Sequence, residues 1–403
     1  MSDINTVVLT HERRPERIVK EGDSVVFVIN NEPSKNIIEQ NIRVNRKIKL
    51  FKKNSINTND VIGIAYDSFL EFDSANNKFT VLDKNPEPEP TYSDEEEVVG
   101  DNKEIFDDNQ AQNLTPAQIE ELKKTMSGKD IVDHIVQNSK SFSGKTQFSQ
   151  QKYLKKKKKK YMMFVKVVEP SAAVLCETYF EKKSDKICNM RLDALSQFLV
   201  LGNVFSHTQA LIFETCSGLI YASALERMAP HGKIIRVAPD DSFRSHLNIS
   251  QLINHPSEEV KNNMTIGIPF SYFGRAKATE TLTPLNKQQE QEKSELLKAT
   301  LTGSSKIYMC DSLLVATNHF DHTLLVDELW PLLQPSGSFV IYSSFREPLQ
   351  ALYSKLRADR STMMMQLTET WMREFQVLPH RTHPQMRTSS ASGYILSGIK
   401  VIP

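Results

Sequence analysis

Between Ile18 and Leu82 apolar and polar positions alternate in short runs. "SVVFVIN", "IRVNRKIKLF", "VIGIAY" and "KFTVLD" are rich in β-branched and aromatic residues and are broken by Asn, Ser, Asp and Gly. Period two in runs of this length predicts strands, and their spacing predicts a small antiparallel barrel or sandwich. A helical period starts at "LTPAQIEELKKTM", where Thr115 fits an N-cap, Pro116 the first helical position, and acids the first turns. "GKDIVDHIVQNS" predicts a second helix. "PSAAVLCETYFEKKSDKI" and "RLDALSQFLVLGNV" keep helical spacing, with Leu192, Leu195, Phe198 and Leu199 on one face.

From Ala210 onward strand-like and helix-like stretches alternate. "ALIFET", "KIIRVA", "SLLVAT" and "GSFVIYSS" are separated by helical runs such as "TLLVDELWPLL". This order predicts α/β architecture with a parallel, doubly wound sheet. "EFQVL" and "GYILSGIKVI" predict a closing antiparallel pair. The polar stretch between Asp241 and Lys306, with "NKQQEQEKSELLKA", predicts an insertion of surface helix and loops. The expected organisation is an N-terminal antiparallel β-barrel domain (1–82), an acidic disordered linker (83–113), a helical and basic segment (114–166) and a Rossmann-like domain (167–403).

Composition changes this picture only through its distribution. In a chain of 403 residues the net charge is only +1, so the total says nothing about partners. Residues 83–113, however, hold eleven acids against two lysines, with three prolines in "NPEPEP". Such a stretch buries too little apolar surface to offset its ordering entropy, which predicts a linker; a nucleic-acid mimic is the functional alternative. Four cysteines (Cys176, Cys188, Cys216, Cys310) form no CxxC pair, which argues against a zinc site or disulfide framework and for a reducing compartment. No apolar h-region opens the chain and no apolar run reaches membrane-spanning length, so the expectation is a soluble protein.

Two stretches carry candidate chemistry. The first is the turn after "ALIFE", where a nucleotide-binding α/β domain keeps a glycine-rich loop. The reason for glycine there is physical: the backbone must take φ > 0 and approach the ligand closely. This chain has Thr215-Cys216-Ser217-Gly218, with one glycine. The next strand ends in "RVAPDD", where a carboxylate could hold a ribose but Ala238 and Pro239 come first, and the fourth ends in Ala316-Thr317-Asn318-His319. Three successive unpromising positions predict a degenerate cofactor site, with no catalytic, cofactor-binding or metal-binding residue in this chain.

The second stretch is "NSKSFSGKTQFSQQKYLKKKKKKYMMF". Lys140 to Lys166 contains ten lysines and no acid, with Phe142, Phe148, Tyr153 and Tyr161 interleaved. Lysines neutralise phosphates and aromatics stack on unpaired bases, which favours RNA. A nuclear address and a solvated helix face are the alternatives.

"NSKSFSGKTQFSQQKYLKKKKKKY", "ICNMRLDALSQFLVLGNV" and "HRTHPQM…SGYILSGIKV" together resemble the non-catalytic subunit of the eukaryotic tRNA adenine-58 N1-methyltransferase. The resemblance covers nearly the whole chain apart from the acidic stretch and the insertion. It implies a β-barrel domain joined to a Rossmann-like methyltransferase domain, in a nuclear complex with a catalytic subunit, two of each. That partner would bind S-adenosylmethionine, and this chain would bind tRNA. The implied RNA contacts fall on Lys145, Thr146, Gln147, Phe148, Lys152, Tyr153, Lys155, Lys156, Lys157, Lys158, Lys159, Lys160 and Tyr161, with Arg381 and His383 of "RTHP". His383 fits a turn equally well. Two other functions compete: an active S-adenosylmethionine-dependent RNA methyltransferase with an atypical loop, and a general RNA-binding scaffold. A complete α/β alternation argues against the scaffold.

Overall fold

A computed structural model describes residues 17–51, 54–73, 78–82, 113–126, 128–142, 147–239, 247–270, 273, 310–377, 382–386 and 392–401. The chain divides into two compact units, Met1–Glu169 and Pro170–Pro403.

The first unit contains β1 (Val25–Ile29), β2 (Ile37–Glu39), β3 (Lys47–Phe51), β4 (Asn54–Asn57), β5 (Phe69–Asp73) and β6 (Lys78–Leu82). Three helices follow, α1 (Pro116–Thr125), α2 (Gly128–Gln137) and α3 (Gln147–Tyr161), and then β7 (Phe164–Val168). The sheet order is β2-β1-β7-β5-β6, with antiparallel neighbours throughout, and β3–β4 form a separate hairpin. The expected closed barrel is therefore corrected: among the described residues β2 and β6 are the two edges of an open sheet. Alternation of apolar positions reveals that strands exist, but closure depends on which strand pairs with which. Here β7, from the stretch read as a basic segment, enters the centre of the sheet, with Val26 opposite Val168. Phe27, Ile29, Ile42, Ile56, Leu70, Val165 and Val167 form the core beneath it. Thr115 caps α1 as expected: its hydroxyl accepts from Gln118 N, and Gln118 Oε1 accepts from Thr115 N at 2.9 Å, a reciprocal pair.

The second unit contains α4 (Ala172–Lys183), α5 (Leu192–Leu201), β8 (Gln209–Glu214), α6 (Leu219–Met228), β9 (Lys233–Ala238), α7 (Glu258–Met264), β10 (Thr265–Pro269) and β11 (Cys310–Ala316). It continues with α8 (His322–Leu329), β12 (Leu333–Ser343), α9 (Arg346–Ala358), β13 (Thr362–Glu369), β14 (Phe375–Gln376), β15 (His383–Pro384) and β16 (Tyr394–Lys400). The sheet order is β10-β9-β8-β11-β12-β16-β13; the first five strands are parallel, and β16 runs antiparallel to both neighbours.

Strand parity divides the core. Leu211, Phe213, Leu313, Val315, Phe339 and Ile341 cluster with Leu325, Leu329, Leu349 and Leu352 of α8 and α9. Leu314 and Val340 point the other way, toward Gly202 at the end of α5. Two buried faces explain why these strands read as continuous apolar runs.

Two expectations are corrected here. "GYILSGIKVI" does pair, but its partner is β13, not "EFQVL"; Phe375–Gln376 of that stretch pairs with His383–Pro384 instead. The polar insertion also contains β10, the sheet edge, where Ile266 lies opposite Ile235. The expected helix at "NKQQEQEKSELLKA" and residues 83–112 of the linker expected over 83–113 lie outside the described residues. No helix among the described residues is long and apolar enough to cross a membrane.

Candidate functional site

In an open α/β sheet, ligands bind beyond the carboxyl ends of the strands where the strand order reverses. In the second unit that place lies between β8 and β11. The turn after β8 needs two left-handed residues, Ser217 at φ 58° and Gly218 at φ 87°. Gly218 adopts this without strain; Ser217 does so while its hydroxyl donates to Lys186 O at 2.9 Å.

Lys186 belongs to the segment Ser184–Met190, which the unit fastens across the strand ends. Cys188, itself left-handed at φ 52°, lies with its sulfur 3.5 Å from Thr215 Oγ1. Its carbonyl accepts from Ser344 Oγ at 2.6 Å and lies 2.9 Å from the Tyr342 hydroxyl. Asn318 donates to Ser344 Oγ at 2.7 Å and accepts from Ser344 N at 2.9 Å. Thr215 Oγ1 donates to Thr317 Oγ1 at 3.0 Å. Side chains of the β8, β11 and β12 ends thus bind one another and a strip of backbone. Of these, only the Thr215-to-Gly218 turn and the Asn318 tip stood out in the sequence.

The helix beside this mouth is also engaged. The first N–H groups of α6 would be the natural anion site. Glu214, buried at the end of β8, accepts from Tyr221 N at 2.7 Å and Ile220 N at 3.2 Å. Burial pushes its carboxyl above the ordinary range, against the pull of those donors and of Arg236. S-adenosylmethionine does not fit this arrangement. The loop carries the side chains of Thr215, Cys216 and Ser217, its helix N-terminus serves the protein's own carboxylate, and Ser184–Met190 covers the strand ends. All four cysteines are free and buried, and burial pushes the Cys176 and Cys310 thiols up to about 12.

The first unit presents the opposite case. Helix α3 carries Lys152 and the six lysines Lys155 to Lys160, without an acid. Six successive residues turn through about 500°, so their positions take in every side of the helix. Like charges three and four apart repel by a few tenths of a kcal/mol per pair. The run lies at the C-terminal end, where the helix dipole favours cations. Lys152, Lys155, Lys156, Lys158 and Lys160 are exposed. Tyr153 ties the helix to the residues before it, and Tyr161 packs with a lysine of the helix itself. Tyr153 packs on Phe142 at 5.6 Å with Lys157 Nζ 5.0 Å from its ring centre, and Lys160 Nζ lies 5.3 Å from the Tyr161 ring centre. The start of α2 packs against the end of α3, where Gly128 abuts the Tyr161 carbonyl.

The remaining sequence-predicted contacts belong to both units. Gln147 and Phe148 open α3, whereas Lys145, Thr146 and Arg381 lie outside the described residues. His383 is exposed on β15 in the second unit, its Nδ1 3.0 Å from Pro384 O. The sequence reading missed an exposed apolar border on that unit. Edge strand β13 presents Met363 and Met364, and Trp371 (68% exposed), Phe375, Val377 and Met386 (94%), which follow it in the chain, are exposed as well.

A doubly wound sheet whose order reverses between β8 and β11, with an antiparallel strand inserted before the edge, places the second unit in the Rossmann-like class. Residues 18–300 match the Gcd10p family, and the chain belongs to that family. It is 34% identical over 426 residues to the tRNA (adenine(58)-N(1))-methyltransferase non-catalytic subunit trm6 of Dictyostelium discoideum, covering 95% of this chain and 80% of that one. It is 30% identical to the protein of the same name from Mus musculus, covering 96% and 89%. Among solved structures, a SAM-dependent O-methyltransferase from Thermotoga maritima aligns at 11% identity with TM-score 0.49, covering 96% of this chain and 95% of that one. The tRNA (m1A58) methyltransferase TrmI of Aquifex aeolicus aligns at 11% and 0.47, covering 96% and 100%.

Proposed function

We propose that this chain is the non-catalytic subunit of a tRNA (adenine-58-N1)-methyltransferase. It holds tRNA with the lysines of α3 and the adjoining residues 145–148, and a catalytic partner binds S-adenosylmethionine. The observation that carries this proposal is the family membership, through relatives whose names specify a non-catalytic subunit. The laced strand ends support it, because an active enzyme would need Ser184–Met190 to leave the place where the cofactor binds. The apolar border of β13 supports an obligate partner, since obligate interfaces are large and apolar. We assign that border to the catalytic subunit, in an assembly of two of each. The lysine run also suits a nuclear address, and we assign the complex to the nucleus.

The test is co-expression with the cognate catalytic chain, followed by methylation of unmodified tRNA by each chain alone and by both. Activity is expected from the pair only. Calorimetric titration of this chain alone with S-adenosylmethionine is expected to give no heat of binding. One-to-one binding in the micromolar range, with methylation by this chain alone, would establish the active-enzyme alternative instead.

A further inference from the structure

Among the described residues, Lys152, Lys155, Lys156, Lys158 and Lys160 of α3 make no ion pair. The strongest acidic stretch of the chain begins and ends beside them. Residues 83–112 hold eleven acids and two lysines, a net charge of −9. They leave the sheet at Leu82, which pairs with Phe69, and Phe69 pairs with Lys166, five residues beyond the end of α3. Two strand spacings put Leu82 about 10 Å from Lys166. At the other end, Asn113 N donates to Asn138 O at 3.1 Å, at the close of α2, which packs against α3. Thirty residues reach up to about 100 Å, whereas α3 is about 22 Å long. Tethering at both ends confers an effective concentration in the millimolar range.

We propose that the acidic segment 83–112 docks on the lysine surface of α3 as an intramolecular polyanion, which RNA must displace. The inference rests on α3 being the RNA contact. Its consequence is selectivity. A weak, unstructured polyanion gains little beyond what the segment already supplies, so it is rejected. A folded RNA, with dense phosphates and further contacts elsewhere on the complex, displaces the segment. Exchanging one polyanion for another also releases fewer counterions, so the segment lowers the salt dependence of RNA binding.

The experiment uses the reconstituted complex of this chain with its catalytic partner. The eleven acids of 83–112 are changed to their amides, with and without Lys155–Lys160→Ala, and binding of tRNA and of poly(U) is measured across salt. Neutralising the acids is expected to tighten binding roughly two- to tenfold at low salt, as docked fractions of one half to nine-tenths imply. It should also steepen the salt slope, and both effects should vanish in the lysine-to-alanine background. Zero-length carbodiimide cross-linking is expected to join 83–112 to the α3 lysines, and tRNA is expected to suppress those links. Absence of the links overturns the docking. Links without tighter binding overturn the competition, as does equal tightening with and without the lysines. In the parent acidic background, a six-alanine variant that binds tRNA as well as the parent overturns instead the assignment of α3 to RNA, and the cross-links still report docking.

Discussion

The hydroxyls of Thr215 and Thr317 meet at 3.0 Å, joining the ends of neighbouring strands β8 and β11 across the point where the sheet order reverses. Thr317 Oγ1 also accepts from His319 N at 3.1 Å. Thr317→Val keeps the shape and removes both bonds, so it should cost about 1–2 kcal/mol. In a unit of this size that lowers Tm by roughly 2–8 °C. Thermal melting monitored by circular dichroism checks the loss, and S-adenosylmethionine should not restore the melting point.

Gly393 has φ 80°, and a Cβ there would lie on the ring of Tyr342. Tyr342 is the buried residue whose hydroxyl reaches Cys188 O and Ser392 O. Gly393→Ala combines left-handed strain with overpacking and should destabilise the second unit by about 2–4 kcal/mol. A lower denaturant midpoint with an unchanged slope is the expected result.

Arg191 holds Asp193 in a two-point contact, with Nε–Oδ1 and Nη2–Oδ2 both 2.7 Å. Burial alone would raise the Asp193 carboxyl; the hydrogen bonds and charge of Arg191 overcome it and hold the group below its ordinary value. A depressed folded-state pKa contributes stability above the unfolded pKa, and that contribution is lost as pH falls through the folded value. Asp193→Asn should therefore cost about 1–3 kcal/mol at pH 7. The gap from the parent should close as pH drops below about 4. Urea denaturation at several pH values measures it.

Replacing Lys155 to Lys160 with Ala should flatten the plot of log K against log salt for tRNA by roughly 2 to 4 units, if three or four of them touch phosphate. Six arginines in their place should keep most of the affinity, because the lysines act as point charges. Filter binding with the reconstituted complex decides this, and an unchanged affinity together with an unchanged slope would leave the run as an address alone.

Trp371→Ser removes an exposed ring and should change the stability of the isolated chain by no more than about 0.5 kcal/mol. On the proposed interface it should weaken association with the catalytic subunit at least about tenfold. Sedimentation of the mixed subunits separates the two effects.

What was legible in the sequence followed from periodicity. "ALIFET", "KIIRVA", "SLLVAT" and "GSFVIYSS" lie on strands of the parallel sheet, because burial on both faces makes such runs continuously apolar. The closing pair was misjudged because β13, "TMMMQLTE", is an edge strand whose exposed methionines blur the alternation. Strand β10 was hidden because its five residues sit in polar surroundings. The weakness of the Thr215-to-Gly218 turn as a cofactor loop was visible in residue types. Its closure by Ser184–Met190 was not, since that depends on left-handed Cys188 and Asn189 and on partners as distant as Tyr342.

The pairing of Val26 with Val168 sets a timetable for synthesis. On the ribosome, β1 emerges well before the strand that flanks it. At ordinary elongation rates the interval is on the order of ten seconds. Throughout it, the apolar stretch "VVFVI" has β2 on one side and nothing on the other. A nascent chain in that state is a target for strand-to-strand aggregation, and the lysine helix, made just before β7, is the last part to appear before β1 gains its second neighbour. Production of this subunit should therefore depend on chaperones that shield the first strand until residue 168 has left the exit tunnel.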